Sequence, residues 1–469
     1  MNQYSPAALR LPREVLSEIF TLSAPSFDLQ ALDSLYPSSW DLETSNLDPM
    51  YTPWTLGQIC RYWRDVSISE QRLWTTVVTF IAESDIPDDH SEWLLKEWLK
   101  RSGNHALDIV FYAPSALWDT SRDQGIQAIL RTLAQHSLRW KSARIAVDET
   151  LIGALSSVLK RLPILENVRL DLLRDPDDLL YNTRPPCNFF QFAPKLLHIT
   201  FSGPLSIMRF PWSQLQSFSG PPACLTMHCV LGRCPKLKTY DVTGGYSMAP
   251  VEMTLRHLHL RNIFACWTPG LFEFLELPAL EVLSLHSIDP RSFPVLTSFF
   301  QRSRCSLSRL DLSNLALEGV NPNATKEFIA SFPTLGSLAI SMFGVTSHNT
   351  EVLLSSLIIQ ETLTSSNIPL PKLETLSLVY ERYEHEDIRD DQRAQYPDLG
   401  PMDLQRTITV LRSRLYLSPD HRRVAKPLDA VSISTNFPIT QEEHSYLDDM
   451  HLDGMTITTK IIPPFTPDF

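Results

Sequence analysis

A short leucine motif recurs along most of this chain. It consists of a leucine, two residues, an apolar residue, one residue and a second apolar residue, and proline often precedes it. The copies occur at 162–170, 193–201, 212–218, 234–242, 254–260, 277–285, 305–315, 332–340 and 371–378, with weaker copies at 427–433 and near the end. The anchor leucines are Leu165, Leu196, Leu215, Leu237, Leu255, Leu280, Leu307, Leu335, Leu373 and Leu428. Most steps between them lie close to the roughly 20–29 residues of leucine-rich repeats.

The motif predicts stacked repeats, because alternate apolar side chains of one short strand cannot be buried by that strand alone. Helix-like stretches separate the copies, as at 323–332 and 351–363, and several end in proline. Proline stops a helix, which accounts for 35 prolines beside only 15 glycines. We therefore predict an α/β fold in which residues 106–465 form a curved, degenerate leucine-rich-repeat solenoid. Its strands build a parallel sheet, and its helices lie on the outer face.

The first hundred residues follow a different, helical pattern. Residues 12–22 place apolar residues at helical spacing, and residues 23–52 form a polar insertion without a sustained period. A second helix is predicted to begin at Thr52-Pro53, where threonine caps and proline fits the first turn. A linker helix at 91–101, within residues 81–105, is predicted to begin at a Ser91 cap and to end before Gly103. We expect residues 9–80 to form one small helical domain, here called the head.

Composition limits the classes of partner. The chain of 469 residues has a net charge of −12, which argues against nucleic acid or an anionic membrane as the main partner. Its seven scattered cysteines are typical of a reduced intracellular protein, in the cytoplasm or the nucleus. No secretory signal and no stretch of about 18 apolar residues is evident.

No catalytic or cofactor motif stands out. A glycine-rich phosphate loop, an HExxH helix and a Gly-x-Ser-x-Gly elbow are all lacking from the sequence. The cluster Cys224, His228, Cys229 and Cys234 lacks the paired spacing of structural zinc, and core packing is favoured for Cys234. The charged run 380–393 is interpreted as a solvated insertion. The charged run 442–453 is interpreted as an acidic helix that begins with a Thr440–Glu443 capping box. We expect no enzyme activity, no cofactor and no metal.

The amino-terminal residues carry a specific resemblance. The segments 11–20 (LPREVLSEIF), 56–69 (LGQICRYWRDVSIS) and 72–74 (RLW) together resemble an F-box. The pattern is most similar to F-box proteins common in mushroom-forming fungi, in which a polar insertion separates two halves and a degenerate repeat region follows. The long insertion at 23–52 is the departure of this chain from the usual F-box.

The resemblance implies a substrate receptor of an SCF-type (Skp–cullin–F-box) ubiquitin ligase. In that family the F-box docks on a Skp-family adaptor, which connects to a cullin, and the repeats hold a target protein. The adaptor-binding residues that the resemblance implies are Leu11, Pro12, Leu16, Ile19, Phe20, Leu56, Ile59, Trp63 and Trp74. Packing inside the head is the competing role for each. The alternative function is a leucine-rich-repeat interaction scaffold that never joins a ligase.

Overall fold

A computed structural model describes most of the chain. The described residues are 11–23, 52–81, 87, 89–113, 120–173, 186–203, 205–220, 230–242, 255–266, 272–316, 321–343, 352–360, 368–381, 404–437 and 439–462. The chain divides into two compact units, Met1–Pro221 and Pro222–Phe469. No helix among these described residues has both the length and the apolar character needed to cross a bilayer.

The first unit begins with short helices. They are α1 (Arg13–Ser23), α2 (Leu56–Ile59) and α3 (Arg61–Ser69), followed by a 3-10 helix at Gln71–Trp74. The α1 helix confirms the helix predicted at 12–22. It packs on α3 and on the 3-10 helix.

The rest of the first unit is a ladder of parallel strands. The strands are β1 (Thr76–Phe80), β2 (Leu107–Ala113), β3 (Trp140–Asp148), β4 (Asn167–Leu173), β5 (His198–Ser202) and β6 (Ser217–Gly220). Each pairs in parallel with the next in chain order. Helices α4 (Asp89–Arg101) and α5 (Thr120–Gln135) connect the first three strands, and 3-10 turns such as Ile152–Val158 connect later ones. Parallel neighbours require such crossover connections.

The second unit continues the same pattern. Its ladder contains β7 (Thr239–Val242), β9 (Asn262–Cys266), β11 (Val282–His286), β12 (Arg309–Ala316), β13 (Ser337–Phe343), β14 (Thr375–Glu381), β15 (Ala430–Thr435) and β16 (Thr456–Ile461). Two very short strands, β8 (Leu255–Arg256) and β10 (Leu275–Glu276), pair separately. The helices are α6 (Phe293–Ser303), α7 (Pro322–Ala330), α8 (Gln405–Leu415), α9 (Pro419–Arg422) and α10 (Gln441–Leu452). Mixed α/β repeats with parallel strands are thus present, as predicted.

The leucine motif supplies the core of both ladders. In the copy at 277–285, Leu280, Leu283 and Leu285 are all buried, while the intervening strand residues are partly exposed. The α7 helix confirms the helix predicted at 323–332, and it begins at an Asn321 cap with proline in the first turn. The Thr440–Glu443 capping box also forms, at the start of α10.

One repeat lies in a different register from the prediction. The copy at 254–260 was expected to anchor at Leu255, but Leu255 belongs to β8, outside the ladder. The ladder strand is β9, and its anchor is the fully buried Leu260. The step from Leu237 is then 260 − 237 = 23 residues and the step to Leu280 is 280 − 260 = 20, in place of 18 and 25.

A buried histidine explains the shifted register. The Nδ1 of His257 accepts hydrogen bonds from the backbone N–H groups of His259 (3.3 Å) and Leu260 (3.1 Å). Its Nε2 lies 2.9 Å from the Cys234 carbonyl oxygen and must donate to it. This side chain therefore holds a turn between β8 and β9, and the turn moves the inward-facing leucine to position 260.

Other boundaries also differ from the sequence prediction. Residues 52–55 form a turn, and the expected single helix from Thr52-Pro53 is instead two helices that separate at Cys60. Cys60 has extended backbone (φ −160°, ψ 169°), and its sulfur accepts a hydrogen bond from the N–H of Trp63. The α4 helix begins two residues before the predicted Ser91 cap, and the stretch at 351–363 is helical only at 352–355 within the described residues.

The parallel ladder starts earlier than residue 106. Strand β1 lies inside the segment assigned to the head, and α4, the predicted linker helix, connects β1 to β2. The position of Gly103 beyond this helix is as predicted, with φ of +57°. The functional boundaries between head, linker and solenoid remain predictions.

Candidate functional site

The α1 helix has one buried side and one exposed apolar side. Leu16 and Phe20, four residues apart, are buried. Val15, Ile19 and Leu22 are 44, 43 and 83% exposed. Their spacing of four and three residues places them side by side on one helix face. This exposed row, Val15–Ile19–Leu22, is here called the α1 stripe.

The ends of α1 are tied to the helices that follow the insertion. The Arg13 guanidinium donates to the Ser69 hydroxyl, and the Tyr62 hydroxyl donates to the Leu11 carbonyl at 3.0 Å. The Phe20 ring meets the Trp63 ring edge-on, with centroids 5.0 Å apart. These contacts bring the two halves of the F-box-like sequence together, although about thirty residues separate them in the chain.

An exposed ion pair adds a further connection. Arg72 contacts Glu18 of α1 at 2.9 Å and Glu70 at 2.8 Å. The hydrogen bond from Arg72 lowers the pKa of Glu70, despite the opposing effect of partial burial. Since Arg72 and Glu18 are about half exposed, this pair contributes little to stability. The pair holds the Arg72 guanidinium against Glu18, which is next to Ile19 of the α1 stripe in the sequence.

The half of the motif after the insertion adds separate exposed residues. Ile59 at the end of α2 is 59% exposed and Ile68 on α3 is 41% exposed. Leu56 and Trp63 are half-buried. The Trp63 indole N–H is enclosed and has no hydrogen-bond partner among the described residues. Trp63 thus contributes mainly to the contact between α1 and α3.

Trp74 lies in the core rather than on a surface. It has no exposed area, and its indole N–H donates to the Ser67 carbonyl at 2.9 Å. Its ring packs edge-on against Trp54 (centroids 5.0 Å apart) and Trp98 (4.9 Å). The Arg101 guanidinium lies over both Trp54 (4.5 Å) and Trp74 (4.6 Å). Burial lowers the pKa of Arg101, and the nearby Glu97 carboxylate partly opposes this.

The predicted adaptor-binding residues therefore fall into three groups. Leu16, Phe20 and Trp74 are buried in this fold, and their contact with an adaptor remains a prediction. Leu11, Leu56 and Trp63 are half-buried. Pro12, Ile19 and Ile59 are exposed, and their contact with an adaptor remains a prediction. The sequence prediction did not include the exposed residues Val15, Leu22 and Ile68 in this surface. Helical periodicity alone does not reveal that they are exposed.

The repeats of the second unit present a second surface. On the solvent side of β11 and β12, the Ser284 hydroxyl donates to Asp311 at 2.9 Å, and Arg309 pairs with the same carboxylate at 2.9 Å. The aromatic ring of Phe264 in β9 is partly exposed beside them. Further along, the outward positions are small: Ala339, Ser377, Ser432 and Thr458 face outward in register. The ladder thus combines a polar, charged part with a nearly flat part.

The described residues contain no group of three or more His, Cys, Asp or Glu side chains placed to hold a metal ion. Cys224, His228 and Cys229 lie outside the described residues, as does most of the run 380–393. Cys234 is buried in the repeat core, and this burial raises its pKa to about 12. Its thiol is therefore kept protonated at neutral pH.

Comparison with known proteins adds little to the description of the fold. No family model matches the chain, and no curated protein matches it. A crystal structure of TLR13, a leucine-rich-repeat protein, in complex with ssRNA13 is similar at 12% identity and a TM-score of 0.26. The match covers 82% of this chain, which spans about three fifths (61%) of that chain. So distant a likeness carries no argument about function.

Proposed function

We propose that this protein is the substrate-recognition subunit of an SCF-type ubiquitin ligase. The head docks a Skp-family adaptor, which connects to a cullin, and the repeats bind a target protein. The receptor carries out no chemistry of its own. It raises the effective concentration of target lysines beside the ubiquitin-charged enzyme.

The α1 stripe is the observation that supports this proposal most. Three apolar side chains on one face of a helix remain exposed, whereas the opposite face of the same helix is buried. An apolar row of this kind is stabilised when a partner covers it. The stripe lies within the segment that resembles an F-box, and hydrogen bonds from Arg13 and to Leu11 fix this segment against α3.

The test is adaptor binding by matched surface variants. Ile19→Asp places a carboxylate in the α1 stripe, and we expect it to weaken binding of a purified Skp-family adaptor by at least about tenfold, because the charge loses water on docking. Val424→Asp is the control, since Val424 is also 43% exposed but lies in the second unit. Binding is measured by calorimetry with the full chain, and circular dichroism verifies that both variants fold.

Equal binding by Ile19→Asp and the original chain would contradict docking through the α1 stripe. A well-folded chain that never binds an adaptor would instead favour the alternative, a repeat-based interaction scaffold outside any ligase. The polar and charged surface on β11 and β12 supports target binding in both cases.

A further inference from the structure

A small cavity in the first unit is lined by positive charge. Its volume is about 190 Å³, and it lies between α2, α3 and the end of α4. Its walls include Trp54, Gly57, Gln58, Arg64, Ser67 and Arg101. No acidic side chain is among the described residues that line it. Two cations around one cavity contrast with the net charge of −12 on the whole chain.

The Arg101 guanidinium lacks an acceptor within hydrogen-bonding distance among the described residues. Its nearest carboxylate, Glu97, is 3.9 Å away, too far for a good hydrogen bond. The guanidinium lies on the faces of Trp54 and Trp74, where it is partly shielded from water. A guanidinium has five N–H donors in a planar fork, and such a group favours an oxyanion as its partner.

Arg64 supplies the second positive group. Its Nε donates to the Gly57 carbonyl at 2.7 Å, which fixes the side chain along the cavity wall. Within the described part of the chain, its terminal nitrogens make no hydrogen bond or ion pair, so they remain available. The two guanidinium groups together can neutralise a single anionic group, with the Trp54 ring forming an apolar wall beside it.

We propose that this cavity is an oxyanion-binding site for one phosphate or carboxylate group. Arg101 and Arg64 provide charge-assisted hydrogen bonds, and the limited volume admits only one such group with a short attached chain. This site is separate from the α1 stripe and does not depend on the ligase proposal.

Titration of the full chain with inorganic phosphate tests the site, followed by calorimetry at constant ionic strength. We expect saturable binding that Arg101→Met weakens by about tenfold or more, the effect of losing one charge-assisted pair. Arg101→Lys, which keeps the charge but loses the planar fork, should weaken it less. Arg61→Met is the matched control, because Arg61 is exposed on the same helix as Arg64 but does not line the cavity.

A second variant, Gly57→Ala, tests the site without removing an arginine that packs on the tryptophans. In Gly57→Ala the new methyl group would lie 3.6 Å from the Ser67 hydroxyl and 3.7 Å from an Arg64 carbon, which are ordinary contacts. Alanine also favours the helix, so this variant should fold while occupying part of the cavity. We expect phosphate binding to weaken several-fold.

Two further titrations, with acetate and with a short phosphoserine peptide, distinguish between the possible sources of the oxyanion. Tighter binding of the peptide than of phosphate assigns the site to a modified protein segment, and tighter binding of acetate assigns it to a carboxylate. The absence of saturable binding by all three probes would overturn the proposal. An equal loss in Arg61→Met and Arg101→Met would overturn it too, because general charge attraction would then explain the binding.

Discussion

The two leucines Leu258 and Leu260 provide a direct test of the repeat register. In the motif as read from the sequence, both are inward-facing core residues. In the structure Leu260 is fully buried as the anchor of β9, whereas Leu258 is 58% exposed. Truncation of a buried leucine to alanine costs about 2–5 kcal/mol, because transfer free energy is lost and a cavity remains. For Leu260→Ala we expect about 3 kcal/mol. Leu258→Ala should cost under about 1 kcal/mol, because less than half of the Leu258 side chain is buried and little apolar burial can be lost.

Thermal unfolding followed by circular dichroism measures both variants against the original chain. In a unit of this size, 3 kcal/mol corresponds to a decrease in Tm of roughly 6–12 °C for Leu260→Ala. Leu258→Ala should stay within about 3 °C. Equal losses in the two variants, or a larger loss for Leu258→Ala, would show that the chain turns into the ladder at position 255 and that the His257 turn is misplaced.

Three further changes have expected outcomes. Burial lowers the pKa of His257, so the unfolded state takes up a proton at this group first as the pH falls. The contribution of His257 to stability should therefore be constant above pH about 7 and decrease below pH 6.5, and His257→Gln should reduce this slope in unfolding titrations. Arg414→Lys should destabilise the second unit by at least about 2 kcal/mol in urea unfolding, because the guanidinium of Arg414 donates to the carbonyls of Leu357, Pro369 and Leu370 at 2.9–3.2 Å and an ammonium cannot span all three. Thr440→Ala removes the cap of α10 and should cost about 1 kcal/mol, measured in the same way; no loss would contradict the capping box.

The repeats can be predicted well from the sequence, because the residues that the leucine motif spaces regularly are the same residues that are buried. Leu280, Leu283 and Leu285 are spaced as a strand with alternating burial, and this spacing leaves no other face for the core. At 254–260 the predicted register was wrong, because Leu255, Leu258 and Leu260 fit the spacing of the motif although the strand of the ladder begins after them. The decisive interaction, the hydrogen bonds of His257 to two backbone N–H groups, has no periodic signature.

The docking face was predicted less completely than the fold. Apolar spacing on α1 marks all of Val15, Leu16, Ile19, Phe20 and Leu22 in the same way. Which of them face the core depends on the rings and helices that pack against α1, and those come from the far side of the insertion. A single sequence therefore indicates an amphipathic helix but does not divide its apolar residues between core and surface.

Trp74 has a consequence for how the protein can be divided. It lies three residues before Val77, the first inward residue of β1, as Leu165 lies three residues before Val168 in β4. The last residue of the F-box-like segment is thus also the first anchor of the ladder, and its indole contacts Trp98 of the crossover helix. A truncation placed after residue 80 would expose the edge of β1 that pairs with β2, and it would remove Trp98 from this indole. The head is therefore expected to resist limited proteolysis only when it stays joined to the first strands, and a protease should not release it as a stable fragment.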